Sequence, residues 1–417
     1  MQPRARASRM LAASMKHWVQ RGIRLLIWIA AMSSGATAMA TPRTDLIVER
    51  AVLVMRHGIR APLDGEVPRD TRTDKPWVSW PVAQSAITPH GERALEIVAA
   101  ADRQMLAARG LLPRTGCPDA YIHTNSSIRT IASGHAYARG FAPGCTIAIA
   151  HRPIGEADPV FEPLRARATD FDAKEAVTAI NRETGGMAHL VERHGAALAE
   201  LDRVLGCTPR GTGCVPAGDP ALTASADGRD ITLSGAIRAT SGIAQVLLLE
   251  YVEGMPLANV GWGRVDSDGL RRLGALHAAL FAVYTKPSYM AAHQSAALGR
   301  EVLDALDAGA PHRFEIVMGH DTNVTALAAA LGVELDAPGY AINDVPPGGA
   351  LLLERIRDQR SGRSFARVSY RTQSPDALRH LSPAVSVTPL KVTGCGKILC
   401  PIEKFERLLK SRISGVE

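Results

Sequence analysis

Seven consecutive residues, Arg56-His57-Gly58-Ile59-Arg60-Ala61-Pro62, set one histidine between two arginines. A phosphate monoester carries two negative charges on its nonbridging oxygens. Cleaving it calls for cationic donors around those oxygens, an in-line nucleophile and a proton for the departing alcohol. Arginine supplies the first: its planar fork binds phosphate through paired charge-assisted hydrogen bonds and stays protonated. A neutral imidazole supplies the second, because one ring nitrogen attacks while the other is held by a partner. Gly58 adds no side chain and lets the backbone approach a phosphate, and Pro62 stiffens the exit from the turn. Five fixed positions at ~5% usage each coincide by chance at about one position in three million. Taken singly, Arg56 reads as a surface ion pair and His57 as a buried, satisfied histidine; the combination does not.

Two further segments offer matching groups. Arg129 lies in Thr124-Asn125-Ser126-Ser127-Ile128-Arg129-Thr130, and His320 and Asp321 lie in Gly319-His320-Asp321-Thr322-Asn323. A carboxylic acid beside a phosphate keeps its proton more readily, since a neighbouring negative charge raises its pKa. Asp321 therefore suits the proton donor.

Each segment follows a short apolar run and precedes a helical pattern. Ala51–Met55 is continuously apolar, as in a strand covered on both faces. Tyr121–Ile122 leads into Ser/Thr-rich helix-start chemistry and a helix at Ile131–Arg139. Phe314–Met318 precedes an Ala/Leu-rich helix that stops at Gly332. In open α/β sheets, ligands bind beyond the carboxyl ends of the strands, so the three segments are expected to converge on one crevice. Phe171–Leu205 and Ser234–Val252 have helical periodicity around a Gly/Pro/Thr-rich stretch. Ala350–Ile356 and Phe365–Arg371 flank Ser361-Gly362 as a hairpin. The expected fold is a three-layer α/β/α sheet core with an inserted, mainly α-helical cap domain. Its divisions are residues 41–160 and 266–417 for the core and 161–265 for the cap.

The 417 residues carry 48 basic and 41 acidic side chains, a net charge of +7. Residues 1–40 hold six of the basic groups and no acidic one. An apolar run from Leu25 to Met32 and an Ala38-Met39-Ala40 end complete the pattern of a secretory signal peptide. Eight apolar residues fall short of the ~20 that a membrane span needs. After removal of residues 1–40 the balance is 42 − 41 = +1. The basic pI is thus no argument for nucleic acid, and 5% aromatics suggest no stacking surface. A periplasmic or secreted protein is expected.

Six cysteines follow the leader, an even count that suggests disulfides in an exported chain. Local spacing favours Cys207–Cys214 and Cys395–Cys400, which leaves Cys117–Cys145, although six cysteines allow 15 connectivities. A zinc site lacks any C-x-x-C or Cys/His cluster.

These stretches resemble the histidine acid phosphatases, branch 2 of the histidine phosphatase superfamily, and most of all the bacterial periplasmic phytases and acid phosphatases. Further matching motifs are Ile87-Thr88-Pro89-His90-Gly91, Gly254-Met255-Pro256, Gly261-Trp262-Gly263-Arg264 and Pro346-Pro347-Gly348-Gly349. The resemblance implies His57 as the nucleophile that becomes phosphohistidine. It implies Arg56, Arg60, Arg129 and His320 as phosphate ligands, and Asp321 as proton donor. It also implies the three cysteine pairs, no cofactor and no metal. A phosphomonoester is the implied substrate, with phytate (inositol hexakisphosphate) foremost and a sugar phosphate such as glucose 1-phosphate as the alternative.

One departure bears on phytate. The bacterial phytases carry a lysine two residues after the motif proline, where this chain has Asp64, and an acid there repels a hexaphosphate. Met255 and His277 occupy positions that resemble the family's substrate-pocket wall, with core positions in the cap as the equal alternative. Asp64, Glu66, Asp70 and Asp74 otherwise read as a solvated acidic scatter. His90, His123, His135 and His151 read as ordinary histidines. Two rival readings are a phosphoglycerate-mutase-like enzyme, whose members usually have Glu after the Arg-His-Gly, and a non-catalytic anion-binding protein, which needs no Asp321.

Overall fold

The computed structural model describes residues 45–207 and 213–416. The expected leader lies outside the described residues. Among the described residues, no helix is long and apolar enough to cross a membrane.

Strand β1 (Leu46–Arg56) is followed by helix α1 (Pro89–Ala108), β2 (Ala120–Thr124), α2 (Ile128–Phe141) and β3 (Ala148–Ala150). Helices α3 (Ala173–Thr184), α4 (Met187–Arg193) and α5 (Gly195–Leu205) come next. A small hairpin, β4 (Leu222–Ala224) and β5 (Ile231–Leu233), then leads into α6 (Ala236–Val252), α7 (Ser267–Tyr284) and α8 (Ser288–Ala305). The last part contains β6 (Phe314–Gly319), α9 (Asp321–Leu331), β7 (Ala350–Asp358) and β8 (Ser364–Thr372). It closes with α10 (Pro375–Arg379), β9 (Ser386–Leu390), β10 (Cys400–Pro401) and α11 (Ile402–Ile413).

The main sheet runs β10-β8-β7-β1-β6-β2-β3, with β9 also paired to β8. From β1 through β6 and β2 to β3 the pairs are parallel. On its other side β1 meets β7 antiparallel, and β7 and β8 form the expected hairpin. Side chains alternate across a strand, and β1 shows what covers each face. Ala51, Leu53 and Met55 enter one buried cluster with Leu95 and Val98 of α1 and Tyr137 and Phe141 of α2. Val52 and Val54 enter a second cluster with Val324 and Leu327 of α9 and residues of α3 to α8. Helices on both faces make the mixed sheet the middle layer of three, as the apolar run at Ala51–Met55 implied.

Two disulfides are present, Cys117–Cys145 and Cys395–Cys400. The third expected pair is not formed: Cys207 and Cys214 are free thiols. Cys214 is instead turned onto the end of α5. Its N–H donates to Asp202 Oδ1 at 2.7 Å and its Sγ lies 3.4 Å from the Asp202 carbonyl oxygen.

Candidate active site

Because β1, β6 and β2 are parallel and in register, their carboxyl ends open on one edge: Arg56 lies beside Gly319, and Thr124 beside Met318. The chain leaving β1 is held from both sides. The His57 N–H donates to the Gly319 carbonyl at 2.9 Å, and the His57 carbonyl accepts from the Gly348 N–H at 3.0 Å. Gly58 serves packing as well as approach, since a Cβ there would stand 2.7 Å from Leu95 Cδ1 of α1.

His57 is 3% exposed. Its Nδ1 lies 2.8 Å from the Gly58 carbonyl oxygen. A carbonyl only accepts, so Nδ1 carries the proton and Nε2 keeps its lone pair. Burial, then Arg129, Arg56 and Arg60, hold the ring well below the usual histidine range. Both effects favour the neutral ring.

The three arginines differ in their ties. Arg56 is fully buried, with Nη1 on the Val345 carbonyl and Nη2 2.5 Å from Gln245 Oε1 and 3.1 Å from Asp321 Oδ2. Arg60 grips Glu66 through both terminal nitrogens, at 2.9 and 2.5 Å. Arg129, from the first turn of α2, places Nη2 3.3 Å from His320 Nδ1. Burial and the nearby Arg60 push Arg129 down to about 10. In all three, the buried Nε has no hydrogen-bond partner among the described residues. Buried donors are normally satisfied, so three orphaned guanidinium donors around one imidazole fit an anion with several oxygens.

His320 caps α9, and its backbone N–H donates to Asn323 Oδ1 at 2.9 Å. Its Nε2–H donates to Asn125 Oδ1 at 3.2 Å, which leaves Nδ1 to accept from Arg129. Burial and Arg129 bring the ring down to about 3, so it is neutral. Burial would raise the Asp321 pKa, but Arg56, His277, His320 and Arg60 together hold it well below the usual carboxylate range. In this arrangement Asp321 is ionised. His277 lies behind it, with Nε2 3.8 Å from Asp321 Oδ2 and Nδ1 2.8 Å from Asp344 Oδ1.

Phytase AppA of Escherichia coli (strain K12) is 30% identical over 410 residues, spanning 89% of this chain and 94% of that protein. The model of the histidine phosphatase superfamily (branch 2) matches residues 47–176. The chain belongs to the branch 2 histidine phosphatases. It is a histidine acid phosphatase, a phosphomonoesterase. It is also similar to a glucose-1-phosphatase of Providencia rettgeri, 27% identical over 87% of this chain and 89% of that protein. Among solved structures, the Hafnia alvei phytase in complex with myo-inositol hexakis sulphate is 28% identical with a TM-score of 0.81, covering 90% of this chain and 99% of that one.

In this phosphatase a cavity of about 740 Å³ contains His57, Arg60, Arg129, His277, His320 and Asp321 in its wall. That volume is within the range usual for small-molecule sites. Arg56 is not in the wall and stands behind it, tied to Asp321. The buried Phe161 and the exposed Arg165, Arg167, Asp227, Arg229 and Asp230 also line the cavity.

Two expected wall residues are elsewhere. Asp64 is exposed and absent from the lining, because the turn at Leu63–Glu66, with Gly65 at φ +74°, directs Leu63 and Glu66 inward. Met255 is buried in the core, and its carbonyl accepts from Arg379 Nη2 at 2.7 Å. His277 does line the cavity. Glu66, expected in a solvated scatter, instead pairs with Arg60. Asp74 instead pairs with Arg264. Gln245 and Asp344, which hold Arg56 and His277 in place, carry no motif of their own, whereas Asn125, on His320, lies in the Thr124–Thr130 segment. Only the neighbouring Pro346-Pro347-Gly348-Gly349 marked the Asp344 segment.

Proposed function

We propose that this phosphatase hydrolyses phosphomonoesters through a phosphohistidine on His57 Nε2. The observation that carries the reading is the His57 ring, its Nδ1–H tied to Gly58 and Nε2 free among three arginines with orphaned Nε donors. The lone pair of Nε2 attacks phosphorus as the bond to the ester oxygen breaks. Arg60 and Arg129, with Arg56 behind them, neutralise the phosphoryl oxygens. His320 holds Arg129 and contributes to the phosphate site. A bound dianion offsets the arginine charge that keeps Asp321 ionised, so the carboxyl gains a proton on substrate binding and gives it to the leaving alcohol. Water then attacks phosphorus while the Asp321 carboxylate takes its proton; the N–P bond breaks, its electron pair returns to His57 Nε2, and inorganic phosphate leaves.

Phytate is one proposed substrate, supported by the similarity to phytases and by the basic residues Arg165, Arg167 and Arg229 at the mouth. Glucose 1-phosphate and related sugar phosphates are the second reading, favoured by Glu66, Asp227 and Asp230 on the same wall. We also assign residues 161–265 the part of a cap over the substrate, since much of the outer wall comes from them. The two disulfides support export.

The test is phosphate release at pH ~5 from phytate, glucose 1-phosphate and a nitrophenyl ester, by the wild type and His57→Ala. Turnover by the wild type, and a loss of at least about 10³-fold in the variant, is the expected result. A variant that keeps its activity rules out phosphohistidine chemistry at His57.

A further inference from the structure

Glu66 brings a carboxylate into the wall of the cavity that holds His57. Its carboxylate spans both terminal nitrogens of Arg60, accepts the Leu63 N–H at 2.8 Å, and lines the cavity beside His57. The side chain is 13% exposed, so little water screens it. Its place is fixed from behind by α6. A Cβ on Gly242 would stand 2.3 Å from the Glu66 carbonyl oxygen and 2.8 Å from its Cα, so only glycine lets the loop lie this close. The end-on grip leaves the Arg60 Nε edge for phosphate, and it also sets a negative charge in the wall next to that phosphate.

We infer that Glu66, seated against Gly242, is a specificity-determining residue that selects esters with one phosphate on a neutral body over polyphosphorylated ones. The reacting phosphate meets Arg60 and Arg129, with Arg56 behind them, and tolerates the carboxylate. A neighbouring phosphate on the same ring meets Glu66 at short range in a poorly screened site, and like charges there repel. Phytate is then turned over more slowly than glucose 1-phosphate. The inference rests on the proposed phosphatase chemistry and names the substrate class for it.

The experiment compares kcat/KM for phytate, glucose 1-phosphate and nitrophenyl phosphate in the wild type, Glu66→Gln and Gly242→Ala. Thermal melting confirms that each variant folds. Glu66→Gln is expected to raise the phytate to glucose 1-phosphate ratio about tenfold, chiefly through KM, and salt at about 0.5 M should shrink that gain. Gly242→Ala, which displaces the loop, should move the ratio in the same direction. If all three esters change by one common factor, Glu66 merely positions Arg60 and the inference fails while the phosphatase reading stands. If the wild type hydrolyses none of them, the phosphatase reading falls first and takes this one with it.

Discussion

Arg56 Nη2 lies 3.1 Å from Asp321 Oδ2, and the arginine of this pair is wholly buried. The pair fixes the protonation state in which Asp321 waits. With its pKa held below the usual carboxylate range, mainly by Arg56 once the opposing effect of burial is overcome, Asp321 carries no proton at pH 5. An anion that offsets Arg56 raises that pKa, and binding must then draw a proton from solution. Sulfate, which does not itself titrate near pH 5, is the suitable probe. Calorimetry in two buffers of different ionisation enthalpy should show uptake of a fraction of a proton per sulfate, growing as the pH is lowered towards about 4. Binding without uptake argues against Asp321 as the acid.

Replacement of Asp321 by Asn removes the proposed proton donor and keeps the shape. Hydrolysis of an alkyl phosphate should slow by about 10²- to 10⁴-fold, whereas nitrophenyl phosphate, whose leaving group scarcely needs a proton, should lose far less. Plots of rate against leaving-group pKa for both proteins give the answer. Equal losses on good and poor leaving groups would remove the general-acid role.

His123, on β2, is clamped between Glu301 at 2.8 Å and Asp158 at 3.2 Å, with Phe161 edge-on to its ring. Burial opposes its charge, but the two carboxylates outweigh burial and raise it to about 9. A raised folded pKa means stability that is fully present below the unfolded value near 6.5 and lost as pH climbs through about 9. His123→Gln should therefore destabilise by on the order of 3 kcal/mol at pH 5 and by much less at pH 9.5. Urea unfolding at both pH values checks it; a pH-independent difference would mean that His123 is neutral. The Asp158 turn carries Phe161 and Glu162 into the cavity wall, so a looser cavity is expected alongside.

The cysteine pattern can be read chemically. Unfolded but unreduced protein should expose two titratable thiols, those of Cys207 and Cys214, and six after reduction. Of the two bridges, Cys117–Cys145 closes a span of 28 residues and Cys395–Cys400 one of 5. Loop-closure entropy makes the first worth about 3–4 kcal/mol and the second about 2. Denaturant titration of the paired Cys→Ser variants should return that order.

What the sequence made legible was local. His57 and its arginines sit in one seven-residue turn, and Asp321 begins a helix right after a buried strand, so periodicity and motif placed all of them at strand ends. Partners supplied by distant elements were not legible. Glu66 reads as one acid among four in a polar loop until the approach of Gly242 on α6 and the fork of Arg60 give it a position. Gln245 and Asp344 lie on an apolar helix and before a proline turn, where nothing local marks a contact with Arg56 or His277. Met255 misled for the opposite reason: its motif is a structural one, its carbonyl taken by Arg379. Seven residues of separation suggested a Cys207–Cys214 bridge, but spacing does not say where a side chain points.

The neighbours of β1 carry one more consequence. The strand that leads into His57 ends at Arg56, yet both of its partners, β6 and β7, come from beyond residue 313. Until they arrive, neither the Gly319 carbonyl nor the Gly348 amide is there to hold His57. A chain made only that far therefore owns the Arg-His-Gly motif without the contacts that hold His57 in place. Synthesis must pass Gly348 and enter β7 before the motif has its seat, so the topology places assembly of the site after delivery of both flanking strands.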